Sequence, residues 1–335
     1  MAKPRTTPVE LALQGGGSHG AFTWGVLDRL LEEPPIEFAG LSGASAGAMN
    51  AVVMAHGLLD GGREGARAAL RGFWKRVGDA AAMNPLRLNP FAAFFGDMMT
   101  RVMSPYQFNP FNLNPLKRIL AASVDFERLR SHETPRLFVS ATAVATGRLR
   151  VFRREELDAD RVMASACLPS LFQAVHVDGE AYWDGGYVGN PALLPLVRES
   201  PAHDLIVVQV NPVLRASAPT RAPEILERIN EISFNSSLMH EMQTLAMLKK
   251  LIEDEGVPGH RYQEPLFHEL DALRVHRIHG DAELLELGAR SKVDAGPALL
   301  RQLFEFGRGA AVAWLSYHRK HLGRRSSVDL SEYHP

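Results

Sequence analysis

The sequence predicts an α/β fold in which a parallel sheet is covered by helices. Short apolar runs of strand length alternate with segments of helical periodicity over most of the 335 residues. Hydrophobic residues make up 46% and charged residues 22%, which is typical of a globular protein with a full core. Strands that alternate with helices pair in parallel, because each crossover helix packs on the sheet.

The first part of the chain predicts a strand, loop, helix, strand, turn and helix in that order. Val9–Gln14 is a short apolar strand that three glycines end, and Gly20–Glu33 has apolar residues at helical spacing. Ile36–Ser42 is a second short strand. Ala46–His56 then forms a helix of small residues that a glycine closes.

The same patterns continue to the end of the chain. Later strands are predicted at Leu137–Val144, Leu149–Arg153, Ala181–Trp183, Leu205–Val210 and Leu273–Ile278. Later helices are predicted at Glu64–Val77, Pro115–Ala122, Glu224–Glu255 and Gly296–His321. No repeat, low-complexity block or clear linker divides the chain. We therefore expect one domain over residues 1–322 and a polar, loosely ordered tail at 323–335.

Composition excludes several classes of function. The formal net charge is −1, which provides no overall field to recruit nucleic acid. The single cysteine, Cys167, excludes an intramolecular disulfide and any multi-cysteine metal site, and we expect no metal and no cofactor. The N-terminus lacks the apolar run of a signal peptide, and no stretch is long enough to span a bilayer. These features predict a cytoplasmic protein whose oligomeric state stays open.

The glycine loop Gln14–Gly20 allows two interpretations. Gly15, Gly17 and Gly20 match the dinucleotide pattern G-x-G-x-x-G, but that fold needs an acidic residue at the end of the second strand. Here the second strand ends in Leu41-Ser42 instead. The other use of such a loop is an oxyanion hole, in which backbone N–H groups at a helix N-terminus face a developing negative charge.

Ser45 lies in a G-x-S-x-G sequence, Gly43–Gly47, on the predicted turn from strand to helix. Such a turn exposes a nucleophilic hydroxyl, which then needs a base. Only two strands precede it, too few for the sheet order of an α/β-hydrolase, and none of the histidines lies in a motif of its own. Asp184 does, in the strand-ending sequence Asp-Gly-Gly. A buried carboxylate can act as the base because burial raises its pKa towards neutral.

The combination GGGSHG, GASAG and DGG resembles the patatin-like phospholipase family. The stretch Arg161–Pro191 is also similar to the family's sequence around its catalytic aspartate, and the resemblance runs from about Glu10 to Asn211. It implies a three-layer α/β/α fold and hydrolysis of lipid acyl esters without histidine. Carried onto this sequence, it makes Ser45 the nucleophile and Asp184 the base. The oxyanion hole would be formed by the amides of Gly15, Gly16 and Gly17.

One departure from the family and several alternatives remain open. The family usually has Arg or Lys where this chain has His19, so phospholipids and neutral esters are both possible substrates. An acyltransferase or thioesterase would use the same dyad, and a catalytically silent lipid-binding protein could use the same fold. Ala80–Leu116, which is rich in Phe and Met, is a candidate for a lid or acyl-pocket wall, and the alternative is that its apolar side chains belong to the ordinary core. A basic run within Trp314–Arg325 is a candidate for peripheral contact with an anionic membrane.

Overall fold

The fold was analysed in a computed structural model that describes residues 6–83, 103–133, 135–215, 217–255 and 265–333. Within these ranges eight strands form one mixed sheet. The strands are β1 Thr7–Leu13, β2 Ile36–Gly43, β3 Arg136–Ala143, β4 Leu149–Arg153, β5 Val175–Val177, β6 Glu180–Asp184, β7 Asp204–Gln209 and β8 Arg274–His279.

The sheet has the strand order β5-β6-β3-β2-β1-β7-β8, and β4 pairs with β3. Strands β3, β2, β1, β7 and β8 run parallel to one another, whereas β4, β5 and β6 join by antiparallel pairing. The carboxyl ends of parallel strands meet at one edge. The loop after β1, the turn after β2 and the chain after β7 therefore lie together.

Helices cover the sheet. They are α1 Gly20–Leu30, α2 Ala46–Ala82, α3 Pro105–Phe108, α4 Pro115–Ala121, α5 Phe126–Ser131, α6 Ala159–Ser165, α7 Leu194–Glu199, α8 Ala222–Glu255, α9 Pro265–Ala272, α10 Asp281–Leu285 and α11 Pro297–His318. The backbone of α2 is non-helical at Gly61 and Gly62. Its two halves correspond to the two helices predicted at Ala46–His56 and Glu64–Val77.

Two apolar cores lie on opposite faces of the sheet. Val9, Leu11 and Leu13 of β1 point into a core shared with α1, α2 and α11, whereas Ala12 belongs to the core shared with α7, α8 and α9. This alternation is the period of two that a strand imposes on its side chains. Helices on both faces confirm the predicted three-layer α/β/α sandwich.

The structure adds elements that the sequence patterns did not reveal, chiefly β5 and the short helices other than α4. The C-terminal tail also packs more closely than predicted. The N–H groups of Ser327 and Val328 donate to Val275 of β8 at 3.0 and 3.2 Å, and Tyr333 is buried. Most of the predicted lid, residues 84–102, lies outside the described residues. In the described part of the chain, no helix is long and apolar enough to cross a membrane.

Candidate active site

Ser45 occupies a strained turn between β2 and α2. Its φ of 53° and ψ of −124° lie in a region that residues with side chains rarely adopt. The flanking glycines are needed for space, because a Cβ at Gly47 would lie 2.1 Å from the carbonyl oxygen of Leu13. The turn thus places the serine at the carboxyl edge of the sheet, as the G-x-S-x-G pattern predicts.

The end of α6 and the residues directly after it connect the serine to the aspartate. The Ser45 N–H donates to Ser165 Oγ at 2.9 Å and to the Ser165 carbonyl oxygen at 3.1 Å. Two residues later, the carbonyl oxygen of Cys167 accepts the Asp184 N–H at 2.8 Å. Asp184 itself ends β6 and is fully buried. Residues 139 positions apart are therefore brought to one place by backbone contacts with a third segment.

The Asp184 carboxyl group has few partners. Its Oδ1 accepts the Gly186 N–H at 2.7 Å, and its Oδ2 has no partner with full hydrogen-bond geometry. Burial raises the pKa of Asp184 from 3.8 to about 7, although the Gly186 N–H and the facing Ser45 hydroxyl act to lower it. This carboxyl group is poised to take up and release a proton near neutral pH.

The glycine loop lies directly against the serine, since a Cβ at Gly15 would be 2.8 Å from Ser45 Cβ. The Gly15 N–H is already engaged, because it donates to Asn190 Oδ1 at 2.7 Å. The N–H groups of Gly16 and Gly17 donate to no acceptor within the described ranges. Gly17 has a φ of +59°, which favours glycine. Of the three predicted donors, two therefore remain available.

Sequence analysis assigned no role to Gln14, the first residue of the glycine loop. Gln14 is fully buried, and its Nε2 donates to Asn235 Oδ1 at 2.8 Å. Its Oε1 accepts the backbone N–H groups of Val210 and Asn211, both at 2.9 Å. Gln14 thereby joins the loop after β1 to the chain after β7. A buried polar residue at the end of a predicted apolar strand is the signal that could have revealed it.

His19, within the glycine loop, is neutral at neutral pH. It is buried, and its Nε2 lies 2.7 Å from Ser291 Oγ. Burial and the nearby charge of Lys292 lower its pKa to about 4. The cationic group beside the glycine loop is therefore Lys292, from the C-terminal part of the chain.

An apolar cavity of about 200 Å³ opens beside Ser45. Side chains from α2, α4 and the segment after α6 line it, together with the turn before α11. Its apolar lining includes Met49, Phe73, Trp74, Val77, Leu116, Leu168, Leu171, Phe172 and Val293. The described part of the predicted lid segment contributes only Leu116 to this wall.

The basic run near the C-terminus lies at the other edge of the sheet. The Gly323 N–H donates at 2.9 Å to Asp204, the first residue of β7, and Arg319 pairs with Glu33 at 3.0 Å. A membrane bound through this run would face the amino edge of the parallel strands. Ser45 lies at the carboxyl edge.

The chain matches a protein-family model, and its fold is similar to solved structures. The family model described as "Patatin-like phospholipase" matches residues 11–197, more than half of the chain. The crystal structure of VipD from Legionella pneumophila aligns with a TM-score of 0.42 and 16% identity, over 94% of this chain and 67% of that one. No curated protein sequence matches the chain.

Proposed function

The chain belongs to the patatin-like phospholipase family, which consists of lipid acyl hydrolases, and from this premise we propose that it hydrolyses lipid acyl esters with a Ser45–Asp184 dyad. The observation that carries the proposal is the buried Asp184 carboxyl group, which faces the hydroxyl of Ser45 on its strained turn and has one oxygen, Oδ2, without a well-formed hydrogen bond. A carboxylate with a pKa of about 7 has the basicity that a general base needs at neutral pH.

In the first half of the reaction, Ser45 Oγ attacks the ester carbonyl carbon while Asp184 takes the hydroxyl proton. The carbonyl oxygen becomes negative, and the N–H groups of Gly16 and Gly17 donate to it. When the carbon–oxygen ester bond breaks, Asp184 returns its proton to the leaving alcohol oxygen. The products of this half are an acyl-Ser45 ester and a free alcohol.

In the second half of the reaction, a water molecule is the nucleophile and Ser45 is the leaving group. Asp184 takes a proton from the water as its oxygen attacks the acyl-Ser45 carbonyl carbon, and the same two N–H groups stabilise the second oxyanion. The bond to Ser45 Oγ then breaks, and Asp184 gives the proton back to that oxygen. A carboxylic acid leaves and the enzyme is restored.

The cavity beside Ser45 supports an apolar acyl group as the part of the substrate that is bound. Its lining is dominated by aromatic, Met and aliphatic side chains from several elements. Burying methylene groups against such a lining contributes about 0.8 kcal/mol for each CH₂. We therefore expect longer acyl esters to be bound more tightly than acetyl esters.

Labelling with a fluorophosphonate probe tests the proposal most directly, because the probe forms a bond only with an activated serine. Wild-type protein should label and should hydrolyse acyl esters, and Ser45→Ala should lose both properties, with a rate loss of about 10⁴-fold or more. Ser327→Ala is the matched control, since it removes a hydroxyl that contacts His276, whose other ring nitrogen contacts a different aspartate, Asp204. Equal labelling of Ser45→Ala and wild type would refute the nucleophile assignment.

A further inference from the structure

Two asparagine side chains hold the peptide group between Gly15 and Gly16 through its carbonyl oxygen. Asn211 Nδ2 donates to the Gly15 carbonyl oxygen at 2.9 Å, and Asn190 Nδ2 approaches the same oxygen at 3.4 Å. Asn190 Oδ1 also accepts the Gly15 N–H at 2.7 Å. Both the N–H and the carbonyl of Gly15 are thus fixed by side chains from distant parts of the chain.

Fixing this carbonyl also aims the next N–H group. A trans peptide is planar, so its carbonyl oxygen and its N–H hydrogen point in opposite directions. The Gly15 carbonyl shares its peptide group with the N–H of Gly16, which is one of the two donors available in the loop. The asparagines therefore determine where the Gly16 N–H points, although neither is bonded to it.

Asn211 is itself held in a defined orientation by a lysine. Lys292 Nζ donates to Asn211 Oδ1 at 2.7 Å, which obliges the amide to present Nδ2 to the Gly15 carbonyl. The Asn211 N–H donates to Gln14 Oε1 at 2.9 Å, so its backbone is fixed as well. Burial lowers the pKa of Lys292, and the nearby carboxylates of Glu231 and Glu227 partly oppose this shift.

The turn that carries Lys292 is fitted to the glycine loop. The Lys292 carbonyl oxygen would lie 2.2 Å from a Cβ at Gly17, and the adjacent Ser291 contacts His19 at 2.7 Å. Lys292 also lines the cavity that contains Ser45. Both Asn211 and Lys292 lie beyond residues 11–197, the part of the chain that the family model matches.

We propose that Asn211 and Lys292 are positioning residues of the oxyanion hole. Lys292 orients the Asn211 amide, and Asn211 holds and polarises the Gly15–Gly16 peptide, so that the Gly16 N–H faces the oxyanion at Ser45 as a stronger donor. Consecutive hydrogen bonds that begin at a cation reinforce one another in a buried site. The inference rests on the proposed Ser45 chemistry.

Steady-state kinetics of Lys292→Met and Asn211→Leu test the inference. Each variant should lower kcat by about 10- to 100-fold, less than the about 10²–10³-fold expected when an oxyanion donor is removed outright. KM should change little, because the donor acts mainly in the transition state. Lys292→Arg should restore part of the loss. Lys249→Met is the matched control, since Lys249 is another half-buried lysine, and it donates to the backbone carbonyls of Leu270 and Asp271, just before β8.

A trifluoromethyl ketone provides a readout that a merely structural role would not change. Ser45 Oγ adds to the carbonyl carbon of the ketone, and the former carbonyl oxygen becomes an oxyanion at the position that the oxyanion of the ester reaction occupies. Affinity for the ketone should therefore fall in Lys292→Met and Asn211→Leu by the same factor as kcat/KM, measured per folded molecule. An unchanged kcat in both variants, or a rise in KM alone, would overturn the inference. The proposed function would still stand in that case, provided that the wild-type protein hydrolyses the ester. A wild-type protein that does not hydrolyse acyl esters would instead refute the proposed function.

Discussion

A cluster of polar side chains that includes a serine and an aspartate lies at each edge of the parallel strands, and in the amino-edge cluster a histidine stands between the two. At the amino edge, His276 Nε2 lies 3.0 Å from Asp204 Oδ1 and His276 Nδ1 lies 3.0 Å from Ser327 Oγ. At the carboxyl edge, Ser45 faces Asp184 with no histidine between them. By composition alone, the amino-edge cluster resembles a hydrolase triad, whereas the carboxyl-edge cluster lacks one member of it.

The difference lies in how many donors each carboxylate has. Burial acts to raise the pKa of Asp204, but hydrogen bonds from His276, Arg274 and the Gly323 N–H outweigh it and lower the pKa to about 2. Asp184 has one well-formed hydrogen bond, and its pKa is raised to about 7. A carboxylate becomes a base where compensating donors are missing. The Asp204 cluster instead joins β7 and β8 to the C-terminal tail.

Replacing Asp184 by Asn should separate the two clusters most clearly. The amide cannot accept the Ser45 proton, so kcat/KM should fall by about 10²–10⁴-fold. The fold should persist, because the replacement removes a buried charge and keeps an oxygen for the Gly186 N–H. Ester hydrolysis and a thermal melt measure both effects.

Asp204→Asn is the control and should retain activity per folded molecule. Loss of turnover in a His276→Gln variant that remains folded would reinstate a histidine mechanism.

The pH dependence of hydrolysis should report the raised pKa of Asp184. The deprotonated form is the base, so kcat/KM should rise with pH, about tenfold per unit, until it levels off above the pKa. The midpoint is expected at about 7. Initial rates of a neutral ester across the acid and neutral range measure it, and Asp204→Asn should give the same midpoint. A flat profile through neutral pH would exclude Asp184 as the titrating base.

Asp204→Asn should show the smallest effect on catalysis and a distinct effect on stability. The folded pKa of Asp204 lies below its ordinary 3.8, so its contribution to stability is present above that value and is lost as the pH falls towards 2. At neutral pH the variant should lose about 2–3 kcal/mol of unfolding free energy. Denaturant unfolding at neutral and acidic pH measures this difference, with Asp184→Asn as the control. Equal stability of Asp204→Asn and wild type would contradict the structural role.

Much of the fold could be predicted from sequence, because each strand and long helix carries its own periodic pattern. Strands β1, β2, β3, β4, β6, β7 and β8 lie within one or two residues of their predicted positions. The three residues of β5 are too few to show a period, and so are the short helices other than α4, which was predicted at Pro115–Ala122. In the site, the glycine loop and the serine turn were visible because glycine spacing is a local requirement. The occupation of the Gly15 N–H by Asn190 depends on a contact across 175 positions.

By itself the sequence determined which groups are chemically capable: a serine between glycines, a glycine loop, and an aspartate at the end of a strand. These are properties of neighbouring residues, which constrain one another through the backbone. Only the tertiary structure decided which aspartate has an oxygen without a well-formed hydrogen bond and which loop amides remain available. It also decided that the positive charge near the loop belongs to Lys292, because His19 is buried and neutral. The pKa of a group and the availability of a donor depend on burial and partners, which come from residues far apart in the chain.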